Sequence, residues 1–122
     1  MNKHVTELSS ANWDAEVRKA PVPVLVDFWA PWCAPCRALM PTIEQMAEDV
    51  GDLVEVGILN VDEHSEIAEQ YDVKSIPSLL LFQDGRLIAR RTGGGSKADL
   101  VGFVSAQQPS FPARAAGPEA AR

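Results

Sequence analysis

The feature that most restricts the fold of this chain is an apolar run, Val24–Trp29, which is interrupted only by the carboxylate of Asp27. Strands with one face in water alternate polar and apolar residues, whereas strands covered by helices on both faces are continuously apolar. The run therefore predicts a central strand. Because side chains alternate along a strand, Asp27 shares a face with Leu25 and Trp29, and we expect it to be buried.

The residues after this run predict a helix and a second strand. A helical pattern extends from Cys33 to about Val50, with Gly51 as its stop. Its apolar stripe continues across Pro41, which favours one kinked helix over a helix that begins after the proline. The next apolar run, residues 53–61, predicts a parallel strand, because a strand–helix–strand crossover joins parallel strands.

Three further patterns complete the predicted fold. Ser9 or Ser10 can cap an early helix that carries Trp13, and residues 63–71 predict another short helix. Two apolar runs, 78–82 and 86–90, flank an Asp-Gly pair, which is a strong hairpin signal. A serine and an aspartate three residues apart, Ser96 and Asp99, resemble a capping box before a last helix.

The arginines of the second hairpin strand are expected to form a solvated edge: Arg86, Arg90 and Arg91.

Length and charge restrict the class of protein. The chain has 122 residues, 46% of them hydrophobic, which suits a single globular domain. Its net charge of −6 argues against nucleic acid or an anionic membrane surface as a partner. The first residues lack the apolar core of a signal peptide, so we expect a cytoplasmic, reducing location. From residue 107 the composition is rich in proline and alanine, which predicts a folded domain over 1–106 and a disordered tail over 107–122.

The two cysteines, Cys33 and Cys36, lie three residues apart at the predicted start of the long helix. This spacing places them on one face, about 5 Å apart between Cα atoms, which suits a disulfide. The helix N-terminus stabilises a thiolate, so Cys33, at the terminus itself, is the expected nucleophile. Cys36, one turn inside, would then attack the mixed disulfide and resolve it. Pro35 suits the first turn, where no backbone donor is needed.

Asp27 is the candidate base for the second step, which requires a deprotonated Cys36. Burial disfavours a carboxylate and should raise the pKa of Asp27 towards the range useful for proton transfer. The alternative is a solvated aspartate at a strand edge, but the apolar neighbours of Asp27 argue against it.

Two other uses of the cysteine pair fit the sequence less well. A structural zinc site needs further ligands, and the two histidines, His4 and His64, are single and far apart in the sequence. We therefore expect no metal. A purely structural disulfide is also a poor explanation, because closing so small a loop restricts the unfolded chain very little.

The segment 27–36, with the sequence DFWAPWCAPC, is similar to the active-site segment of the thioredoxin family. Ile76-Pro77, the Asp-Gly pair, Gly93 and Pro41 match further positions of the family in the same order, so that the resemblance covers about residues 4–106. It implies an α/β protein with the thioredoxin fold, in which a five-stranded mixed sheet is flanked by four helices.

The resemblance also implies a protein disulfide reductase, with Cys33 as the attacking cysteine, Cys36 as the resolving cysteine and Asp27 as the buried carboxylate that serves Cys36. Pro77 would be cis and face the cysteines. The peptide that flanks a target disulfide would pair with the backbone of Ile76. It would lie against six residues: Trp32, Ala34, Pro35, Ile76, Pro77 and Gly93.

By the same resemblance the chain would bind no cofactor and would receive electrons from NADPH through a flavin-dependent thioredoxin reductase. Its partners would be that reductase and disulfide-containing proteins, and it would be a monomer.

Ala34 stands where relatives most often have glycine, and Ile58 stands where many have lysine. The missing cation predicts a more strongly raised pKa of Asp27 than in lysine-bearing relatives. A docking module with the same fold, or a reductant dedicated to one partner, remains an alternative.

Overall fold

The computed structural model describes residues 4–107. The strands are β1 (Val5–Leu8), β2 (Val24–Trp29), β3 (Glu55–Asn60), β4 (Ser78–Gln83) and β5 (Arg86–Thr92). The helices are a π-helical turn (Asp14–Arg18), α1 (Ala34–Val50), α2 (Ser65–Gln70) and α3 (Lys97–Ser105), and a short 3₁₀ turn (Gly51–Leu53) follows α1.

The five strands form one sheet in the order β1-β3-β2-β4-β5. β2 is parallel to β3, which is parallel to β1, whereas β4 runs antiparallel to β2 and β5 antiparallel to β4. The sheet is therefore mixed, as the resemblance implied. β2 lies at its centre, and all of its residues are buried except Trp29, which is partly exposed. The prediction of a strand covered on both faces is confirmed.

Each face of the sheet has its own apolar cluster. α1 and α3 cover one face, where Ile43 and Leu100 pack with Leu25 and Leu79. The π-helical turn and α2 cover the other face. Four aromatic rings meet there with centroids between 5.0 and 6.4 Å apart: Trp13, Phe28, Tyr71 and Phe82.

Several local predictions are confirmed. α1 continues through Pro41, which lies on its exposed side. Asp84 and Gly85 both have positive φ, 54° and 79°, as a two-residue hairpin turn requires. Ser96 and Asp99 form the capping box, with N–H donors 3.0 Å from the serine oxygen and 2.9 Å from the carboxylate.

The early helix differs from its prediction. Its helical residues begin later and its N-cap is Trp13, with no side-chain cap. Ser9 instead exchanges hydrogen bonds with Asn12, at 2.7 and 3.2 Å, in the turn before the helix. This pairing satisfies backbone groups of the turn without continuing into the helix.

The arginines of β5 are a solvated edge only in part. Arg86 is exposed, as predicted. Arg90 is exposed but donates to the carbonyl groups of Tyr71 and Asp72 at the end of α2. Arg91 is partly buried and bound to the loop before α3, so the prediction is wrong for this residue.

The predicted tail begins at Gln107, whose N–H donates to the carbonyl oxygen of Val104 at 3.0 Å. Residues 108–122 lie outside the described residues, so the disorder of the tail stays a prediction. Within residues 4–107, no helix has both the length and the apolar character that crossing a bilayer requires.

Gly57 in β3 has little room for a side chain, because Leu8 and Thr6 of the neighbouring strand β1 crowd it. A Cβ at this position would lie 2.6 Å from Cδ1 of Leu8 and 3.1 Å from the carbonyl oxygen of Thr6. Gly57→Ala should therefore lower the free energy of unfolding, measured in urea, by about 1–3 kcal/mol. Gly102→Ala is the control, since a Cβ there meets nothing within 4 Å and alanine favours the α3 helix by about 1 kcal/mol. Equal effects of the two substitutions would contradict the proposed crowding.

Candidate functional site

The two cysteines lie where β2 leads into α1. Cys33 is the N-cap residue of α1, with φ −89° and ψ 105°, and Cys36 lies in the first turn. The N–H of Cys36 donates to Sγ of Cys33 over 3.2 Å. Pro35 precedes it within the first helical turn, where no intrahelical donor is lost. The cap position therefore directs a backbone donor and the positive end of the helix at the Cys33 sulfur.

Cys33 and Cys36 form a disulfide, and their Cα atoms are 5.2 Å apart, as the spacing predicted. Cys33 is 5% exposed and Cys36 is completely buried. Both pack with Ala30, against the partly buried side chains of Trp29, Val61 and Ile76. Of the two cysteines only Cys33 therefore has any contact with solvent, which is the difference that a nucleophilic and a resolving cysteine require.

The loop before β4 faces the cysteines. The Ile76–Pro77 peptide is cis, as the resemblance implied, and the carbonyl oxygen of Ile76 lies 3.9 Å from Sγ of Cys33. The N–H of Gly93 donates to the carbonyl oxygen of Pro77 over 2.8 Å, which ties a third segment to the site. Between these segments and α1 lies an open groove of about 330 Å³, lined by Pro35, Ala38, Leu39, Thr42, Pro77 and residues 93–95.

Trp32 is 67% exposed beside Cys33, an unusual position for so large an apolar side chain. Its indole N–H donates to Oδ2 of Asp62 over 2.8 Å. The N–H of Asp62 in turn donates to the side chain of Asn60 over 2.9 Å. Asp62 thus orients the exposed indole, a contact that the sequence analysis missed. The sequence order could have predicted this contact. Asp62 follows β3 and Trp32 follows β2, and because these strands are parallel, both residues lie at the same end of the sheet.

Asp27 is completely buried in β2, in register with Ile58 on one side and Leu79 on the other. Neither carboxyl oxygen has a hydrogen-bond partner, and burial raises the pKa of Asp27 to about 8. The alternative of a solvated aspartate at a strand edge is therefore wrong. Asp27 lies on the face that α1 covers, and Cys36 lies in the first turn of that helix.

The structure brings most of the sequence-predicted site residues to one edge of the molecule. Cys33, Pro35, Ile76, Pro77 and Gly93 surround the groove or the disulfide. Trp32 and Ala34 are exposed beside them, whereas Asp27 lies inside the molecule. Within residues 4–107, no three histidine, cysteine or acidic side chains come together as metal ligands.

Comparison with known proteins decides the family. The thioredoxin family model matches residues 4–106. The chain belongs to the thioredoxin family. A thioredoxin of Pseudomonas aeruginosa is 39% identical over 106 residues, covering 87% of this chain and 98% of the relative. Thioredoxin 1 of Synechococcus elongatus is 41% identical over 94 residues, covering 77% of this chain and 88% of the relative. A thioredoxin of Acidithiobacillus ferridurans is 39% identical over 107 residues, covering 88% and 99%.

Membership of this family makes the Cys33–Cys36 pair the redox centre of a thiol–disulfide oxidoreductase. Thioredoxins need no bound cofactor, because the two cysteine sulfurs themselves carry the electron pair. The family acts on disulfide targets and is reduced by thioredoxin reductase. The predicted fold is likewise that of the family.

The raised pKa of Asp27 predicts a characteristic pH dependence of stability. The folded protein holds this proton up to about pH 8, whereas an unfolded aspartate releases it near pH 4. The stability from the protonated form is therefore complete below pH 4 and is lost as the pH rises through 8. Asp27→Asn removes the titration, so the unfolding free energy of the wild type should fall by roughly 3 kcal/mol relative to this variant between pH 5 and 8.

Urea unfolding of both oxidised proteins at several pH values measures this difference. Other groups titrate in the same range, among them Glu55, whose pKa is raised to about 7 by burial and then by Glu16. They contribute to both proteins, so the difference between the two curves isolates Asp27. Parallel curves would contradict the assigned protonation of Asp27.

Proposed function

We propose that this chain reduces disulfide bonds in target proteins and cycles between the Cys33/Cys36 dithiol and disulfide. The observation that carries the proposal is the position of the Cys33 sulfur, 3.9 Å from the Ile76 carbonyl at the edge of an open groove. An extended peptide can pair with the backbone of such a loop as an extra strand, which would bring its own disulfide to Cys33.

The cycle has two exchange steps. The Cys33 thiolate attacks one sulfur of the target disulfide, so that a mixed disulfide forms and the other target sulfur leaves as a thiolate. Cys36 then loses its proton and attacks the Cys33 sulfur, which breaks the mixed disulfide and forms Cys33–Cys36. The target gains two electrons from the two cysteine sulfurs and takes up two protons from solvent, which balance the proton that Cys33 released on forming its thiolate and the proton that Cys36 loses.

In this proposal Asp27 exchanges a proton with Cys36 during the second step. Burial raises the pKa of Asp27 to about 8, so its carboxylate is a much stronger base than that of an ordinary aspartate and is better suited to accept the Cys36 proton. A carboxyl group with its usual pKa would be too weak a base for this task. Burial destabilises the Asp27 carboxylate and thereby makes it a stronger base, which supports its proposed role in deprotonating Cys36.

We further propose that the target peptide contacts Trp32, Ala34, Pro35, Ile76, Pro77 and Gly93, which lie in or beside the groove. The oxidised protein is regenerated by NADPH through a flavin-dependent thioredoxin reductase. We propose that the protein works as a cytoplasmic monomer, with its thioredoxin domain over residues 1–106 followed by the proline- and alanine-rich segment 107–122. The net charge of −6 supports protein rather than nucleic-acid partners.

Trapping of mixed disulfides tests the function directly. Cys36→Ser should attack targets but fail to release them, so that covalent adducts accumulate on Cys33 and disappear after dithiothreitol treatment. Cys33→Ser should form no adducts, and insulin reduction should fall at least a hundredfold in both variants. Adducts with many proteins indicate a general reductase, and adducts with one protein indicate a dedicated reductant. Unchanged biological function in the double variant would instead support a docking module.

Ile58→Lys tests how the pKa of Asp27 is set. Ile58 pairs with Asp27 across the sheet and lines an apolar cavity of about 350 Å³ with Trp29, Arg37, Met40 and Glu44, so a longer side chain has room. An ammonium group near Asp27 favours the carboxylate, so the pKa of Asp27 should fall by at least one unit in an NMR titration. Ile58→Met is the uncharged control. A lysine variant that titrates like the methionine variant would refute this explanation.

A further inference from the structure

Arg91 is a charged residue on the covered side of the sheet. It pairs with Leu79 of β4, and Leu79 belongs to the apolar cluster beneath α1 and α3. A β-bulge causes this placement: Leu81 pairs with Ala89, but Phe82 pairs with Leu87, which leaves Ile88 without an opposite residue. The extra residue shifts the alternation of side chains, so Arg91 lies on the α1 face.

The Arg91 guanidinium donates two hydrogen bonds to a single acceptor. Its Nε and Nη2 atoms both donate to the carbonyl oxygen of Gly94, over 3.2 and 3.0 Å. A charged donor makes a stronger hydrogen bond than a neutral one, and two donors fix the direction as well as the distance. The neighbouring Asp99 carboxylate, which accepts the N–H of Ser96, adds a favourable charge interaction with Arg91.

The loop held by Arg91 has little stiffness of its own. Residues 93–95 are three successive glycines, and Gly93 has a φ of 87°. Without side chains, such a segment loses much conformational entropy when it becomes ordered. Two anchors oppose this cost: the Gly93 N–H on the Pro77 carbonyl oxygen and the Arg91 guanidinium on the Gly94 carbonyl oxygen.

The same loop lines the groove together with Pro35 of α1 and with Pro77, to which Gly93 is hydrogen-bonded. It lies close against α1, since a Cβ at Gly94 would be 3.1 Å from Cδ1 of Leu39. A small displacement of the loop therefore changes the width of the groove. It does not move the cysteines, which are held by the first turn of α1.

We propose that Arg91 is a positioning residue for disulfide exchange, which holds the triglycine loop where the groove accepts the peptide flanking a target disulfide. This inference rests on the proposed target groove. Arg91 acts through Gly93 and Gly94 and takes no part in the exchange of sulfur bonds.

Kinetics with two substrates test the proposal. Arg91→Met keeps the aliphatic part of the side chain and removes the donors. With insulin as substrate and dithiothreitol as reductant, its KM should rise roughly three- to tenfold while kcat stays within twofold. The rate with hydroxyethyl disulfide, which has no flanking peptide, should stay within twofold. Arg91→Lys should give an intermediate KM, because lysine retains the charge but not the paired donors.

Arg86→Met is the matched control, because Arg86 lies on the same strand, is exposed and carries the same charge. Its KM for insulin should equal that of the wild type. Equal KM values for Arg91→Met and Arg86→Met would overturn the proposal. An equal loss of rate with both substrates would also overturn it, since it would indicate general damage to the fold.

Trp32→Ala separates this inference from the proposed groove. If Trp32→Ala raises the KM for insulin and Arg91→Met does not, the groove is supported and the role of Arg91 is refuted. If neither variant changes the KM, the groove itself is refuted, and the role of Arg91 with it. Amide NMR spectra add a direct measure: in Arg91→Met the largest shifts should fall on Gly93, Gly94 and Gly95, and unshifted loop amides would count against the proposal.

Discussion

β2 is covered by helices on both faces, and α1 begins five residues after it ends. Because β2 is central, the chain leaves the sheet at the carboxyl end of this strand and then turns into α1, the helix that covers one face. This connection places Cys33 at the cap of α1 and buries Cys36 one turn further on. The unequal exposure of the two sulfurs and the donors directed at Cys33 both follow from it.

The same burial places Asp27 in an apolar environment without a hydrogen-bond partner. A carboxylate in this position destabilises the fold at high pH, because its pKa of about 8 means that the folded state resists ionisation. An asparagine or an apolar residue would avoid that cost. An acid at the centre of the sheet is understandable if it exchanges a proton during the reaction, as proposed for Cys36 of the helix that covers this face.

The groove depends on contacts between segments that are distant in the sequence. The loop before β4 supplies the cis peptide, the loop after β5 supplies glycine backbone, and α1 supplies Pro35. A few hydrogen bonds link these segments to their neighbours: one from Gly93 to Pro77, two from Arg91 to Gly94, and one from Trp32 to Asp62. The disulfide at the helix cap is thus surrounded by loops that long-range hydrogen bonds hold in place.

The amino-acid sequence alone was enough to predict the elements whose signals are local: the apolar strand β2, the continuous helix across Pro41, the hairpin and the capping box. It also determined the chemistry, since the spacing of Cys33 and Cys36 at a helix start permits few other uses. Which arginine of β5 reaches the loop depends instead on the assembled sheet. Arg90 and Arg91 look alike in the sequence, and a bulge at Ile88, which no local pattern reveals, exchanges the faces on which they lie. Contacts of this kind depend on strand register and side-chain direction, which are fixed only when the sheet is assembled.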